Sequence, residues 1–141
     1  MIGLLIIAHG NLGESLIHCA SHVLGKRPLQ LEALEVATND DPSVLLPQAQ
    51  ELVKKLNTGD GVLVLSDMYG ATPCNMVLKL LTADKVEGVA GVNLPMLVRV
   101  LNYRESGIKL CLEKAISGGR EGVVRFTEVS CEHYHVANRK L

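Results

Sequence analysis

Two residues whose side chains can take part in catalysis lie at the ends of apolar runs. His9 follows the uncharged run from Ile2 to Ala8, and Asp67 follows the run from Val62 to Leu65 with one serine between. Runs of this length without charge are typical of central strands buried on both faces. In open α/β sheets, ligands bind at the carboxyl ends of such strands. An imidazole at that position can act as a nucleophile, a base or a metal ligand.

An aspartate beside a histidine accepts a hydrogen bond from one ring nitrogen, fixes the tautomer and leaves the other nitrogen free. The loop after Asp67 leads to Thr72-Pro73, a typical helix start, whose backbone N–H groups attract anions. Gly70 and Ala71 would let the backbone approach an anion closely, and Thr72 adds a hydroxyl donor. This pattern predicts a histidine that accepts a phosphoryl group and passes it on, with Gly70, Ala71 and Thr72 binding phosphate.

The residues alone leave other interpretations open. A histidine at a strand end is often structural, and an aspartate before a helix is often only a cap. A hydrolase or isomerase with His9 as its base is a further possibility, but it needs a pocket lined by additional polar groups, and the sequence offers none beyond the two motifs. Neither motif contains lysine or arginine, which favours a reversible carrier over a tight phosphate-binding site.

The composition excludes several classes of protein. A chain of 141 residues with 48% hydrophobic residues predicts one domain with a substantial core. A net charge of −1 and 3% aromatic residues argue against nucleic-acid binding. No apolar run is long enough to span a bilayer, and no basic segment precedes the first run, so we expect no signal peptide. Four cysteines without a CxxC motif indicate a reduced, cytoplasmic protein.

Strand and helix patterns alternate along the chain. They predict a single-domain α/β fold with a mainly parallel central sheet, helices on both faces and a final, antiparallel edge strand. The predicted domain covers residues 1–129, and residues 130–141 form a polar tail. Strands are predicted at 2–8, 29–36, 62–67, 86–92 and 122–129. Helices are predicted from a cap at Asn11 to Leu24, at 43–56, from Thr72 onwards, at 96–103, and at 108–117, where Gly118-Gly119 breaks the last one.

The expected strand order places the first and third strands side by side in the middle of the sheet. Their helices would then leave on opposite faces and open a crevice at the strand ends. His9 and Asp67 would meet in that crevice.

Four ordered segments carry a resemblance to a known family. They are IIAHG (Ile6 to Gly10), LSDMYGATPCN (Leu65 to Asn75), GVNLPML (Gly91 to Leu97) and GREGV (Gly119 to Val123). Together they resemble the enzyme IIA domain of the mannose (mannose/fructose/sorbose) family of the phosphoenolpyruvate:sugar phosphotransferase system. The resemblance covers about residues 1–128 and preserves both order and spacing.

The resemblance implies that His9 is phosphorylated, that Asp67 is its hydrogen-bonding partner, and that the Thr72 hydroxyl meets the phosphoryl group. It implies HPr as phosphoryl donor, a histidine of a IIB component as acceptor, and no cofactor or metal. It also implies a role in sugar transport, at most peripheral to a membrane permease. A homodimer is implied too, with the last strand exchanged between subunits in some members.

The chain departs from the family pattern in two ways. Ala71 and Cys74 stand where glycine and phenylalanine are commoner, and no Ala/Pro-rich linker or IIB domain follows Val129. The second departure keeps two alternatives open. One is a stand-alone regulatory phosphoryl acceptor or binding module without a cognate sugar permease. The other is the related phosphoryl-donor subunit of dihydroxyacetone kinase.

Two groups of residues have metal-binding spacing. His18 and His22 lie four apart on a predicted helix, and we interpret them as a solvated face because no third ligand is placed to help. Cys131, His133 and His135 alternate in the polar tail, where a chelate is conceivable but a mobile terminus is the simpler interpretation.

Five further residues lie in or near the motifs. We expect Cys74 to be a small packed residue, and Asn93 and Pro95 to form a structural turn. Met68 and Tyr69, if exposed, would form a docking surface for HPr.

Overall fold

One sheet of four parallel strands, in the order β2-β1-β3-β4, forms the centre of the protein. The computed structural model describes residues 1–37, 39–68 and 72–127, without the side chain of Thr72. The strands are β1 (Gly3–His9), β2 (Leu31–Val36), β3 (Val62–Ser66) and β4 (Val86–Ala90). The helices are α1 (Leu12–Leu24), α2 (Pro42–Leu56), α3 (Thr72–Leu80), α4 (Leu94–Leu101) and α5 (Ile108–Glu121).

The apolar run of β1 supplies two cores, because successive side chains of a strand point to opposite faces. Leu4, Ile6 and Ala8 pack with residues of α1, α4 and α5 on one face. Leu5 and Ile7 pack with residues of α2 and α3 on the other. Both faces of the sheet are therefore covered, which explains why this run contains no polar residue.

The order of the strands is the predicted one, with β1 and β3 side by side in the middle of the sheet. The chain leaves β1 through α1 to reach β2 on one side, and leaves β3 through α3 to reach β4 on the other. Since α1 and α3 belong to different cores, they leave on opposite faces. Ile7 of β1 lies opposite Ser66 of β3, so the residues that follow each strand emerge side by side.

The predicted break at Gly118-Gly119 is wrong, because α5 continues to Glu121. A Cβ on Gly118 would lie 2.9 Å from Cβ of Arg99, and one on Gly119 would lie 2.8 Å from Cε of Met96. The two glycines thus let α5 pack closely against α4. Their low helix propensity, about 1 kcal/mol each relative to alanine, is overridden by this tertiary contact.

The last predicted strand is not formed over the part that the structure describes. Residues 122–127 have no strand conformation, and Val123 and Phe126 are largely exposed. A strand needs a neighbour that pairs with its backbone N–H and C=O groups, and within the described ranges no strand runs alongside this segment. Residues 128–141, with the remainder of the predicted strand and Cys131, His133 and His135, lie outside the description.

The fourth helix begins earlier than its apolar spacing indicates. The Asn93 carboxamide accepts a hydrogen bond from the backbone N–H of Met96 at 2.9 Å, and Pro95 lies in the first turn, where its missing N–H costs nothing. Asn93 and Pro95 thus have a structural role, but they cap and begin α4 rather than form the predicted turn. By contrast, Asn11 precedes α1 without making the predicted side-chain cap.

Among the helices in the described residues, none has both the length and the apolar character that crossing a membrane requires.

Candidate functional site

His9 is the last residue of β1, at the carboxyl end of the sheet. Gly10 follows it with φ +54, a conformation that glycine adopts without strain. The N–H of Gly10 donates to the carbonyl of Val36 at 3.0 Å, which ties this turn to the end of β2. The turn leads the chain into α1 and leaves the His9 side chain 48% exposed, so the imidazole is accessible from solvent.

Asp67 follows β3 directly and bonds to His9 twice. Its Oδ2 accepts from the backbone N–H of His9 at 3.0 Å and contacts ring Nδ1 at 2.8 Å. Its Oδ1 accepts from the N–H of Met68 at 2.9 Å. Because an ionised carboxylate has no proton to donate, Nδ1 is the donor in the ring contact. For a neutral ring, this leaves Nε2 unprotonated, with a lone pair available for bonding.

The environment of Asp67 keeps its carboxylate charged. Its side chain is only 13% exposed, and burial by itself would raise the pKa of Asp67. The backbone N–H of His9, the imidazole and the N–H of Met68 stabilise the anion and together bring the pKa below its ordinary value. A negative charge therefore lies on the Nδ1 side of the ring.

The structure brings together two of the predicted site residues, His9 and Asp67. Thr72 begins α3, so a helix starts at this edge of the sheet as predicted, although as the first helical residue rather than as the cap. Gly70 and Ala71 lie outside the described residues, as does Tyr69. Cys74 is buried in α3, which confirms the expected packing role.

Some features of the site carry no signal in the sequence. The N–H groups of His9 and Met68 hold the Asp67 carboxylate, and the carbonyl of Val36 anchors the turn after His9. These are backbone contacts, which any residue type can make. Met68 itself is exposed beside the site, whereas His18 and His22 are exposed along α1.

Comparison with known proteins gives consistent matches. Residues 3–116 match the family model described as PTS system fructose IIA component. The chain is 30% identical over 125 residues to the PTS system mannose-specific EIIAB component of Escherichia coli, covering 86% of this chain and 38% of that protein. It is 29% identical over 106 residues to the PTS system fructose-specific EIIA component of Bacillus subtilis, covering 74% and 72% of the two chains.

A solved structure agrees with these matches. The crystal structure of phosphotransferase system component EIIA from Streptococcus agalactiae superposes with a TM-score of 0.81 at 25% identity, covering 92% of this chain and all of that one.

The fold and site together define an α/β domain that presents an imidazole, oriented by a carboxylate, at the switch point of its sheet. The chain belongs to the mannose-type enzyme IIA family of the phosphotransferase system. It spans 38% of the length of its Escherichia coli relative.

Proposed function

We propose that this protein is a phosphotransferase that carries a phosphoryl group in the phosphotransferase system on Nε2 of His9. The 2.8 Å contact between His9 Nδ1 and Asp67 Oδ2 carries this proposal, because it leaves Nε2 as the nucleophile at an accessible strand end. The names of the family and its relatives support the carrier over the alternatives left open above, a regulatory acceptor or a dihydroxyacetone-kinase subunit.

The proposed reaction is a direct displacement at phosphorus. The Nε2 lone pair forms a bond to phosphorus while the bond to the donor breaks, and the donor atom keeps that electron pair. Nδ1 keeps its proton throughout, so the ring gains positive charge, which the Asp67 carboxylate stabilises. We assign phosphate binding to the start of α3, with Gly70, Ala71 and Thr72. In the second step, the acceptor attacks phosphorus and the electron pair returns to Nε2.

The proposed partners are HPr as donor and a histidine of a IIB component as acceptor. Family membership supports both. The proposed place of action is the cytoplasm, at most peripheral to a membrane permease, and the cysteine usage described above supports this.

The direct test is transfer of label from radiolabelled phosphoenolpyruvate through enzyme I and HPr. We expect acid-labile, base-stable label on the wild-type protein and none on His9→Ala. His22→Ala is the matched control, because His22 is an exposed histidine of α1 outside the site, and it should label as the wild type does. Equal labelling of His9→Ala and wild type would overturn the proposal.

We also propose a homodimer formed through β4, which is an edge strand of the sheet within the described residues. A cavity of about 570 Å³ lies along this edge, lined by Gly88–Gly91, Ile116 and Val123 among others. Nearby, Val123 and Phe126 expose apolar surface that a second subunit would cover. Sedimentation equilibrium should give twice the chain mass of 15.2 kDa, and the double variant Val123→Ser/Phe126→Ser should move toward the monomer. A wild-type protein that stays monomeric at micromolar concentration would contradict the dimer.

A further inference from the structure

We infer that a cleft at the amino end of the sheet is a binding site for a small organic acid, a carboxylate with a short apolar chain. The cleft has a volume of about 380 Å³ and lies between the loop before β2 and the end of α4, with Arg104 among its lining residues. Because it is at the opposite end of the strands from His9, this site is separate from the proposed phosphoryl carrier.

Arg104 is a buried cation without an anionic partner. It is only 6% exposed, yet no carboxylate in the described parts of the chain lies within 4.0 Å of its guanidinium. The adjacent Glu105 is exposed and lies 3.9 Å from the amino-terminal ammonium of Met1 instead. Burial raises the pKa of the nearby Cys111 thiol, so that group is neutral. Since a buried charge is ordinarily paired, an anion bound in the cleft would balance this guanidinium.

The guanidinium has hydrogen-bonding capacity left for such an anion. Of its five N–H groups, three donate to the carbonyls of Ile2, Leu29 and Gln30. One N–H therefore remains on each of the two terminal nitrogens, and two such donors match the two oxygens of a carboxylate. The three existing bonds also hold the side chain in place, so binding loses little conformational freedom.

The rest of the cleft is suited to an apolar chain. Leu24, Pro28, Leu29 and Leu101 line it, and Leu29 is 74% exposed. Apolar walls around a small number of polar groups are typical of small-molecule sites, whose volumes run from about 300 to 1,000 Å³. A cleft near the lower end of that range fits a chain of about four to eight carbons. Lys26, exposed in the same lining, adds positive charge that attracts an acid.

The ligand class is tested by titrating the intact chain with hexanoate and following the backbone amides by NMR. We expect saturable shifts in residues 24–30 and 101–105, with a Kd below about 1 mM. Hexan-1-ol has the same chain without the charge, and acetate has the charge without the chain. Each should bind at least about tenfold more weakly, because the carboxylate and the apolar chain both contribute to affinity.

A variant at the exposed part of the cleft tests the position. Leu29→Glu places a carboxylate beside the proposed ligand, and we expect it to weaken hexanoate binding by about tenfold or more through repulsion and competition for the guanidinium. The matched control is Val44→Glu, which makes the same change in net charge at a residue of α2 that is 58% exposed and lies outside this cleft. Its affinity for hexanoate should stay within about twofold of wild type.

Three results would overturn the inference. They are the absence of saturable shifts at about 20 mM hexanoate, equal affinity for hexanoate and hexan-1-ol, and unchanged binding to Leu29→Glu. Transfer of label to His9 does not enter this test, and Leu29→Glu should accept label as the wild type does. Failure of the cleft therefore leaves the carrier function standing, and failure of the carrier leaves the cleft standing.

Discussion

Changing Asp67 to asparagine is expected to slow phosphoryl transfer to His9 by about 10- to 100-fold without unfolding the protein. A charged hydrogen-bond acceptor is worth about 1.5–3 kcal/mol, and here it stabilises the positive charge that the ring gains as the N–P bond forms. Asparagine has nearly the same shape and one acceptor oxygen, so the contacts to the His9 N–H and to Nδ1 at 2.8 Å can persist without the charge. Rapid-quench measurement of labelling from HPr gives the rate.

The control for this variant is Asp84→Asn, which makes the same chemical change at an exposed aspartate before β4. Asp84 has φ +64, and asparagine tolerates that conformation well. It should transfer at the wild-type rate. If Asp67→Asn stays within about twofold of wild type, the carboxylate does not assist the reaction.

The stability of Asp67→Asn should also depend on pH differently from that of the wild type. Hydrogen bonds from His9 and Met68 outweigh burial and lower the pKa of Asp67 in the folded state. A carboxylate with a lowered folded-state pKa adds stability above its unfolded pKa of about 3.9, and this stability is lost as the pH falls through the folded value. The difference in unfolding free energy between wild type and Asp67→Asn should therefore shrink as the pH falls below about 4.

The second large effect is expected on stability rather than on transfer. Arg104 is buried at the amino end of the sheet, where its guanidinium donates to three backbone carbonyls. Nε bonds to Ile2 at 2.9 Å, Nη1 to Leu29 at 2.5 Å, and Nη2 to Gln30 at 2.8 Å. Gln30 has φ +51, so this arginine holds an unfavourable backbone conformation in place.

Arg104→Met should lower the free energy of unfolding by about 2–4 kcal/mol, because three carbonyls lose a hydrogen bond from the guanidinium, although the Gln30 carbonyl keeps the one from the N–H of Leu4. Burial lowers the pKa of Arg104, but a guanidinium remains charged, so part of the loss is offset by removing a desolvated cation. Urea unfolding measures the change. Arg104→Lys should recover only part of it, since an ammonium cannot reproduce the planar fork.

The site provides a check on this stability prediction. Arg104 lies at the opposite end of the sheet from His9, so folded Arg104→Met should still accept label at His9. An unfolding free energy within about 0.5 kcal/mol of wild type would show that the three bonds contribute little.

The strands and their order were predictable because the governing signals are local. The uncharged run from Ile2 to Ala8 requires burial on both faces, and alternation with helices requires parallel pairing. With β1 and β3 in the middle, the two strand ends place His9 beside Asp67. The pairing of the two side chains thus follows from topology together with residue type.

The wrong predictions have tertiary causes. The low helix propensity of Gly118 and Gly119 predicts that a helix ends there. In the structure they lie inside α5, because the absence of a side chain at these positions lets α4 pack closely against it. The segment 122–127 has apolar residues suited to a strand, yet a strand depends on its neighbour as much as on its sequence. Backbone donors to Asp67 were not predictable because they carry no side-chain signal.

The most direct test of the account is to identify the phosphorylated ring atom in the intact protein by NMR, from nitrogen–phosphorus coupling in the histidine-labelled chain. The contact between Nδ1 and Asp67 predicts phosphorus on Nε2 of His9, with Nδ1 still protonated. Phosphorus on Nδ1, or on a residue other than His9, would contradict the account.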